Sequence, residues 1–438
     1  MRDEFFALAD RLSAESHAGE GLLLWLSGER SDFVRFNHGR VRQAGSVAQE
    51  ILTARLVRDG RQAAATITLS GNGEDESLAR AAVARLRDAL AELPADPWLA
   101  IAESPESTSH DRRGRFPPAE EIVNQVIAAS EGHDLVGFYA GGSIARGFAN
   151  SFGQRNWHSV DCFNLDWSVY LRADKAVKCG YAGFDWDPAA FAAKQADALR
   201  NRALLAVAPR TIEPGEYRAF LAPAALEELV GLLGWGGFSA RARATRQGPL
   251  MRMEHGETLS SQVTFVENTA DGIAPAFQRD GYVKPPAVTL VESGQLGAAL
   301  VSPRSAKEYG LASNAANGRE SPESLELSAG ALAPDDVLAA LDTGLYIGNL
   351  WYTNFSDRPA GRITGMTRFA TFWVEGGRIV APVEVMRFDD SIFRMFGSNL
   401  VDLTAERELL IDPGTYGERS TGSARLPGML LKALRFTL

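Results

Sequence analysis

Alternating apolar and polar residues in the first 70 positions predict β-strands joined by tight turns. The apolar run GLLLWLSGE at residues 21–29 is typical of a buried strand. Two strand–turn–strand units follow, with turns at residues 37–39 (NHG) and 59–60 (DG). Asn, Asp and Gly tolerate the positive φ angles that such turns need. The pattern therefore predicts a hairpin-rich sheet near the N-terminus.

Apolar residues at helical spacing predict four helices in the same half of the chain. The first covers residues 1–12, and the second begins with Ser77 as its N-cap. The third begins at Pro118 and the fourth at Asp187, which precedes a proline. Residues 94–118 are rich in Pro, Ser and charged residues and are interpreted as a linker.

The C-terminal half consists mostly of predicted strands, with a hairpin at residues 375–377 (EGG). Only residues 223–233 and 335–342 show helical patterns there. The fold class is therefore predicted as α+β, with a mixed N-terminal α/β part that contains hairpins and a β-rich C-terminal domain with few helices. The predicted domains are residues 1–210, with a possible sub-boundary in the linker, and residues 211–438.

Charge and cysteine content narrow the class of protein. The 438 residues carry a net charge of −10, which disfavours sequence-independent nucleic-acid binding. One basic cluster, RARATR at 241–246, is interpreted as a solvated loop. Two cysteines, Cys162 and Cys179, exclude a disulfide framework and are interpreted as buried, inert thiols. With no apolar stretch of about 20 residues and no signal peptide, the expected location is the cytoplasm.

Searches for nucleophile and phosphate-binding motifs find no convincing match. The segment AGGSIARG around Ser143 lacks the Gly-x-Ser-x-Gly spacing of hydrolases and is interpreted as a turn at a strand edge. The segment GLLGWGG at 231–237 lacks the Lys-Ser/Thr pair of a phosphate-binding loop.

Metal ligands are equally sparse in the sequence. No two histidines are one helical turn apart, and this spacing is what places two imidazoles on one metal. The segment Glu254–Glu257 with His255 is read as a solvated turn, and the neighbouring Asp389 and Asp390 should point to opposite faces of a strand. Arg368, Arg387 and Arg394 are plausible ligand contacts but are not assigned to a site. We therefore predict no catalytic, cofactor-binding or metal-ligating residue.

Three stretches, taken in order, resemble the TldD/TldE (PmbA) family of zinc-dependent peptidases. Residues 31–68 (SDFVRFNHGRVRQAG and the following strand) resemble its opening hairpin segment. Residues 259–317 (LSSQVTFVEN through EYGLASNAAN) resemble its central region. Residues 343–403 (TGLYIGNLWYTNF through FGSNLVDL) resemble its long C-terminal sheet.

The resemblance implies that this chain has lost the family's metal site. In the TldD branch the matching helix carries His-Glu-x-x-x-His, and our register places Val230, Gly231 and Trp235 at these three positions. None of the three supplies a ligand or a base. The third ligand of that branch, a cysteine, is expected within residues 412–428, where this chain has none. The chain thus resembles the metal-free TldE branch, with zinc expected only in a TldD-like partner.

The helix itself is predicted to persist, because Leu226, Leu229, Val230 and Leu233 form one apolar face. Trp235 is expected to fill the volume of the lost metal site, and its burial would contribute about 2–3 kcal/mol.

Three functional hypotheses follow. The first is a TldE-like, metal-free subunit of a peptidase complex that acts on small or unfolded peptides, paired with a TldD-like catalytic subunit or with a second copy of itself. The second is a stand-alone homodimer that binds peptides or proteins without catalysis. The third is an active hydrolase with ligands such as His255, Glu254 and Asp280. No nucleic-acid or membrane partner is expected.

Overall fold

Two β-sheets with accompanying helices make up the chain in the computed structural model, which describes residues 1–173 and 175–437. The N-terminal sheet has seven strands and the C-terminal sheet has eleven. The predicted α+β class is therefore confirmed. Among the described residues, none of the helices combines the length and the apolar character that a membrane crossing requires.

The N-terminal sheet has the strand order β3-β2-β1-β5-β6, and both β4 and β7 pair with the far side of β6. In chain order the elements are α1 (Arg2–Ser13), β1 (Gly21–Asn37), β2 (Arg40–Arg58), β3 (Arg61–Leu69), α2 (Asp75–Leu90), β4 (Ser109–Arg112), α3 (Ala119–Ala129), β5 (Asp134–Asn150), β6 (Arg155–Arg172), β7 (Lys175–Gly183) and α4 (Pro188–Leu204).

The predicted hairpin turns are confirmed, although in the first one His38 adopts a left-handed backbone angle with Gly39, and Asn37 is the last residue of β1. His38 and Gly39 have φ of 52° and 65° between β1 and β2. Asp59 and Gly60 have φ of 52° and 71° between β2 and β3. Two consecutive residues with positive φ match the right-handed twist of the flanking strands, which is why short hairpins select Asn, Asp and Gly there.

The predicted helix starts are partly confirmed. The Asp187 side chain caps α4 by accepting the N–H of Ala189 at 2.8 Å, with Pro188 in the first turn. Ser77 is not an N-cap, because α2 already begins at Asp75. The Asp75 carboxylate accepts the N–H groups of Ser70 and Gly71 and so orders the turn before the helix.

Residues 94–118 connect two parts of one sheet. Strand β1, before this segment, pairs with β5, after it, over residues 23–36. The segment also contains β4, which pairs in parallel with β6. The interpretation of residues 94–118 as a linker was therefore wrong for residues 109–112, because these residues form a strand that is hydrogen-bonded to β6.

The predicted domain boundary falls between residues 210 and 211. It lies after β7, the last strand of the first sheet, and before β8, the first strand of the second sheet, and it remains a prediction.

The C-terminal sheet closes on itself, because β8 pairs with β13 on one side and with β18 on the other. The path from β18 through β16, β14 and β13 returns to β8, while β12, β9, β10 and β11 extend from β18. The elements are β8 (Gly215–Leu221), α5 (Pro223–Leu233), α6 (Ala240–Ala244), β9 (Phe265–Glu267), β10 (Val288–Glu292), β11 (Gln295–Leu296), α7 (Pro303–Tyr309), β12 (Ser324–Leu327), α8 (Val337–Leu341), β13 (Gly344–Asp357), β14 (Arg362–Glu375), β15 (Arg378–Pro382), β16 (Arg387–Ser391), β17 (Leu400–Ile411) and β18 (Ser423–Phe436).

Two predicted loops have regular structure instead. The basic cluster at 241–246 is largely solvent-exposed as predicted, but it is not a loop throughout, because Ala240–Ala244 forms a helical turn whose cap, Ser239, accepts the N–H of Ala242. Arg243 in this turn pairs with Glu254 at 3.6 Å. The segment around Ser143 is not a turn either, because Asp134–Asn150 is one continuous strand between β1 and β6.

Helix α5 packs one face against β13 and β18 in the C-terminal core. Pro223 begins the helix as predicted, since proline suits the first helical turn. Leu226, Leu229 and Leu233 are completely buried and Val230 is 2% exposed, which confirms the predicted apolar face. The opposite face of α5 is therefore the one available to a ligand.

A loop at residues 412–422 joins the two sheets by inserting Arg419 into the first one. Arg419 is 4% exposed, and its backbone N–H donates to Glu29 at 3.1 Å. Its guanidinium donates to the carbonyl oxygens of Gly142 at 3.3 Å and Cys162 at 2.9 Å. It also donates to the Ser31 hydroxyl at 3.3 Å. One side chain from the C-terminal part thus satisfies acceptors on β1, β5 and β6.

Replacing Arg419 should loosen this junction. Arg419→Met leaves three buried acceptors without a donor, so we expect the free energy of unfolding to fall by about 2–4 kcal/mol. Thermal unfolding measures the loss, and limited proteolysis should cut residues 412–422 faster. Arg85→Met, at an exposed position of α2, is the control. Equal stability of the two variants would contradict the proposed role of Arg419.

A cleft between the two sheets as the candidate site

A cleft of about 570 Å³ lies where the first sheet meets α5 and the C-terminal sheet. Strand β7 forms one wall with residues 178–182. The outward face of α5, the 349–353 segment of β13 and the 409–411 segment of β17 form the others. The cleft is therefore built by both halves of the chain.

Three of these strand segments have an unpaired edge within the described residues. Strand β7 pairs only with β6, and residues 409–411 of β17 pair only with β18. Strand β13 pairs with β8 only at Leu345–Ile347, so residues 349–351 pair only with β14, and residues 352–353 pair with no strand among the described residues. An unpaired strand edge offers backbone N–H and C=O groups to an extended peptide.

Two glutamates of α5 point into the cleft. Because the apolar stripe of the helix faces the core, Glu227 and Glu228 lie on the open side and line the cavity. The Thr353 hydroxyl donates to Glu228 Oε2 at 3.4 Å. No Lys, Arg or His nitrogen of the described residues forms an ion pair with the Glu227 carboxylate. Burial, followed by repulsion from Glu228, raises the pKa of Glu227 from 4.5 to about 7.

A second acidic group lies on the opposite wall. Asp166 of β6 pairs with Lys178 of β7 at 3.2 Å. Burial still raises the pKa of Asp166 above its ordinary value, although the Lys178 ammonium opposes the change. Sequence reasoning missed Asp166, Glu227 and Glu228. Helical periodicity could have identified the two glutamates, because they lie opposite the apolar stripe of α5.

Exposed aromatic side chains form the rim. Trp351 is 47% exposed and Tyr352 is 74% exposed. Tyr352 and Phe369 have φ of 55° and 57°, where β13 and β14 depart from regular pairing. Left-handed backbone is costly for large side chains. Arg368 lies over the Trp351 ring at 4.2 Å, so this arginine borders the cleft.

Trp235 does not fill a buried volume, and that expectation was wrong. The residue lies two positions after the last residue of α5, in a turn, and is 58% exposed at the cleft. The buried aromatic side chain of this region is Phe238, which is completely buried and packs against Phe265 with ring centroids 5.7 Å apart. The tryptophan therefore does not supply the predicted stabilisation by burial.

The three positions proposed for lost metal ligands do not share one surface. Gly231 and Trp235 line the cleft, whereas Val230 is buried in the core. A side chain at residue 230 points away from the cavity, so Val230 does not mark a ligand position. The register proposed from the resemblance is corrected on this point.

The donors present in the cleft do not fit a zinc site. In the part of the chain that the structure describes, no group of three or more His, Cys, Asp or Glu side chains is placed to hold a metal ion. Burial raises the pKa of the Cys179 thiol, which borders the cleft, to about 12. Zinc sites combine several Cys or His ligands, and among the described residues that line the cleft Cys179 is accompanied by no histidine and no second cysteine.

Cys162 likewise behaves as a buried thiol. The side chain is completely buried next to Arg419, and burial raises its pKa above the ordinary value. The predicted burial is confirmed for Cys162 and was wrong for Cys179, which is only partly buried because it lines the cleft. The raised pKa of both thiols agrees with low reactivity.

The other candidate residues lie outside this cleft. Glu254 pairs with Arg243, whereas Asp280 pairs with Arg55 of β2 at 2.6 Å. The described residues therefore do not bring His255, Glu254 and Asp280 together as a metal-binding group.

The remaining polar candidates have structural partners. Arg394 pairs with Glu216 at 2.8 Å and with Asp390 at 3.1 Å. Arg387 donates to the Thr364 hydroxyl at 3.0 Å. Asp389 pairs with Arg362, so the two neighbouring aspartates do have separate partners.

One pair of histidines comes together without helical spacing. His110 and His158 stack with ring centroids 5.3 Å apart because β4 pairs in parallel with β6. Burial, followed by repulsion from His110, lowers the pKa of His158 to about 4.

Comparison with known families assigns the chain to a class of proteins. Residues 214–438 match the family model described as PmbA/TldA metallopeptidase C-terminal domain. This range is just over half of the 438 residues. The chain therefore belongs to the TldD/TldE (PmbA) family, as the resemblance predicted. No curated protein sequence matches the chain.

Solved structures share the fold over the whole chain. TldE from Thermococcus kodakarensis is 13% identical with a TM-score of 0.78, and the alignment covers 100% of each chain. A putative modulator of DNA gyrase from Bacteroides thetaiotaomicron is 15% identical with a TM-score of 0.78. A similar putative modulator from Thermotoga maritima is 16% identical with a TM-score of 0.76. The alignments with these two cover 99% of each chain. At sequence identities this low, the structural similarity establishes a shared fold and nothing more.

The raised pKa of Glu227 predicts a pH-dependent effect on stability. The folded chain keeps a proton that the unfolded chain releases between pH 4.5 and about 7, so this carboxyl group lowers stability as pH rises through that window. Glu227→Gln removes the effect. We therefore compare the free energy of unfolding of Glu227→Gln with that of the parent at each pH. The difference should shift in favour of the variant by roughly 1–3 kcal/mol between pH 5 and pH 8.

Chemical denaturation at the two pH values measures this difference. Glu131→Gln, in the exposed turn after α3, removes a surface carboxylate and is the control. If Glu227→Gln shows the same relative stability at both pH values, the carboxyl group is not desolvated as described.

Proposed function

We propose that this chain is the TldE-like, metal-free subunit of a cytoplasmic TldD/TldE-type zinc-dependent peptidase complex that acts on small or unfolded peptides. In this proposal a TldD-like partner holds the zinc and performs hydrolysis. The chain described here contributes the cleft beside α5, which binds an extended segment of the substrate. Family membership and the fold support the assignment.

The observation that carries the proposal is the convergence of unpaired strand edges on one cleft. Residues 178–182 of β7, 349–353 of β13 and 409–411 of β17 line the same cavity. An extended peptide binds such edges through its main chain, so the interaction tolerates many sequences. The exposed rings of Trp351 and Tyr352 add apolar contact area at the rim.

The composition of the cleft supports a binding role more than a hydrolytic one. Its donors are carboxylates and a thiol with a raised pKa, and they do not fit zinc. Peptide hydrolysis by this family's chemistry requires a metal-activated water. We therefore derive no catalytic step from the residues of this chain.

A reconstitution experiment tests the proposal. The purified chain is mixed with a TldD-like catalytic subunit, and cleavage of an unfolded peptide is measured with and without a zinc chelator. We expect a stable complex and chelator-sensitive cleavage that exceeds the activity of either subunit alone by at least tenfold. Absence of both complex formation and activation would refute the subunit role.

Filling the cleft should separate complex formation from peptide binding. A Cβ placed at Gly231 meets no atom within 4 Å, so Gly231→Phe should fold and place a ring in the cleft. We expect normal association with the partner but at least tenfold weaker peptide binding. Ala84→Phe, on the exposed face of α2, is the matched control. Unchanged peptide binding by Gly231→Phe would show that the cleft is not the site.

The stand-alone homodimer remains the alternative. Residues 40–49 of β2 pair only with β1 among the described strands, and this unpaired edge suits contact with a second copy. Sedimentation of the chain alone distinguishes the two cases. A stable dimer that binds peptides but does not associate with a TldD-like subunit would favour the alternative.

Zinc analysis tests the predicted absence of metal. We expect the purified chain, after dialysis, to contain much less than one zinc per molecule by elemental analysis. Stoichiometric zinc would support the third hypothesis, an active hydrolase with other ligands.

A further inference from the structure

A second cavity, of about 790 Å³, lies on the other side of the 412–422 loop from the cleft. It is bounded by β1 and β5 of the first sheet and by the segments 275–280, 317–323 and 414–421. We call it the arginine pocket, because four arginines line it: Arg146, Arg279, Arg319 and Arg419.

The arginine pocket has a surplus of positive charge. Each of its carboxylates has a cationic partner: Asp280 pairs with Arg55 at 2.6 Å, Glu323 with Lys284 at 2.6 Å, and Glu418 with Arg146 at 3.1 Å. No carboxylate of the described residues forms an ion pair with the guanidinium groups of the three other arginines. Of these three, Arg419 donates to uncharged acceptors of the first sheet, and its backbone N–H contacts the Glu29 carboxylate. Arg279 and Arg319 are therefore the two guanidinium groups of the lining that lack both a counter-ion and a buried position among the described residues.

Three of the four arginines are held in place before any ligand arrives, whereas Arg319 is exposed. Arg146 and Arg419 are 5% and 4% exposed, so their positions are set by the surrounding sheet. The guanidinium of Arg279 lies over the Trp25 ring, 5.0 Å from its centre. Cation–π contact restricts such a side chain while leaving its N–H groups available.

Two further observations indicate a missing acceptor. Burial lowers the pKa of Arg146; the Glu418 carboxylate opposes this shift, and the nearby charge of Arg279 adds to it. Gln278 is 6% exposed, and its amide oxygen accepts the N–H of Asp280. Its amide nitrogen has no acceptor among the described residues. A bound anion would relieve the repulsion and supply acceptors at this wall.

We infer that the arginine pocket binds an oxyanion, with Arg279 and Arg319 as its principal contacts. Guanidinium groups bind carboxylate and phosphate oxygens through paired N–H donors. The same chemistry is found in the C-terminal carboxylate of a peptide and in a phosphate group. The inference does not depend on the proposed function, because it rests on a different cavity.

Calorimetric titration at constant ionic strength tests the inference on the full chain. The probes are inorganic phosphate and an N-acetylated tripeptide with a free C-terminus, and the same tripeptide with an amidated C-terminus is the control ligand. We expect saturable binding of phosphate or of the free-acid peptide, and no binding of the amide. The probe that binds identifies the source of the oxyanion.

Substitutions of the two exposed arginines test whether the anion binds in the arginine pocket. Arg279→Gln combined with Arg319→Gln should weaken binding at least tenfold, because both exposed guanidinium groups are lost. Arg85→Gln, on the exposed face of α2, should bind like the parent. Circular dichroism and thermal unfolding verify that the double variant is folded, and Arg279→Lys with Arg319→Lys should recover part of the affinity if charge contributes.

Two results would overturn the inference. One is the absence of saturable binding for both phosphate and the free-acid peptide. The other is equal affinity of the parent and the folded double glutamine variant, since the anion would then bind elsewhere.

Discussion

The position of the 412–422 loop constrains both cavities of this protein. Arg419 holds the loop by donating to acceptors on β1, β5 and β6. Pro413, at the start of the loop, lines the cleft, and Gly414, the next residue, lines the arginine pocket. Because the guanidinium is buried, its loss cannot be compensated by water. The position of the Arg419 side chain therefore sets the geometry of both cavities.

Helix α5 shows how one element serves stability and recognition together. Its leucines are buried against β13 and β18, and hydrophobic burial fixes the rotation of the helix about its axis. That rotation leaves Glu227 and Glu228 on the open side. The raised pKa of Glu227 is thus a consequence of packing the opposite face. The orientation of these carboxylates is therefore set by the apolar face of the helix, whereas their charge can be changed on the outward face alone.

Local chemistry made much of the fold predictable. The hairpins at 37–39 and 59–60 and the helix starts at Asp187 and Pro223 follow from residues that select a backbone conformation by themselves. Signals of the same kind mark α7, a helix that was not predicted: Ser302 caps it, Pro303 begins it and Gly310 ends it with φ of 68°. Capping residues therefore identify short helices in the C-terminal half that are too short to show a clear apolar periodicity.

The candidate site was less predictable, because it depends on contacts between distant residues. The apolar stripe through Val230 already indicated that this residue faces the core, so the register proposed for the metal ligands conflicted with the helical pattern. By contrast, nothing local shows that Trp235 is exposed while Phe238 is buried. The stacking of His110 on His158 and the meeting of three strand edges arise only when the sheets assemble.

The distribution of charge gives the two cavities opposite preferences. The lining of the cleft has Asp166, Glu227 and Glu228 with one cation, Lys178, and Arg368 lies at its rim, whereas the arginine pocket has guanidinium groups without ion-pair partners among the described residues. In a cavity with low-dielectric walls, fixed charges discriminate between anionic and cationic ligands more strongly than the same charges do in open water. An anion is therefore disfavoured in the cleft and favoured in the arginine pocket, although one loop borders both.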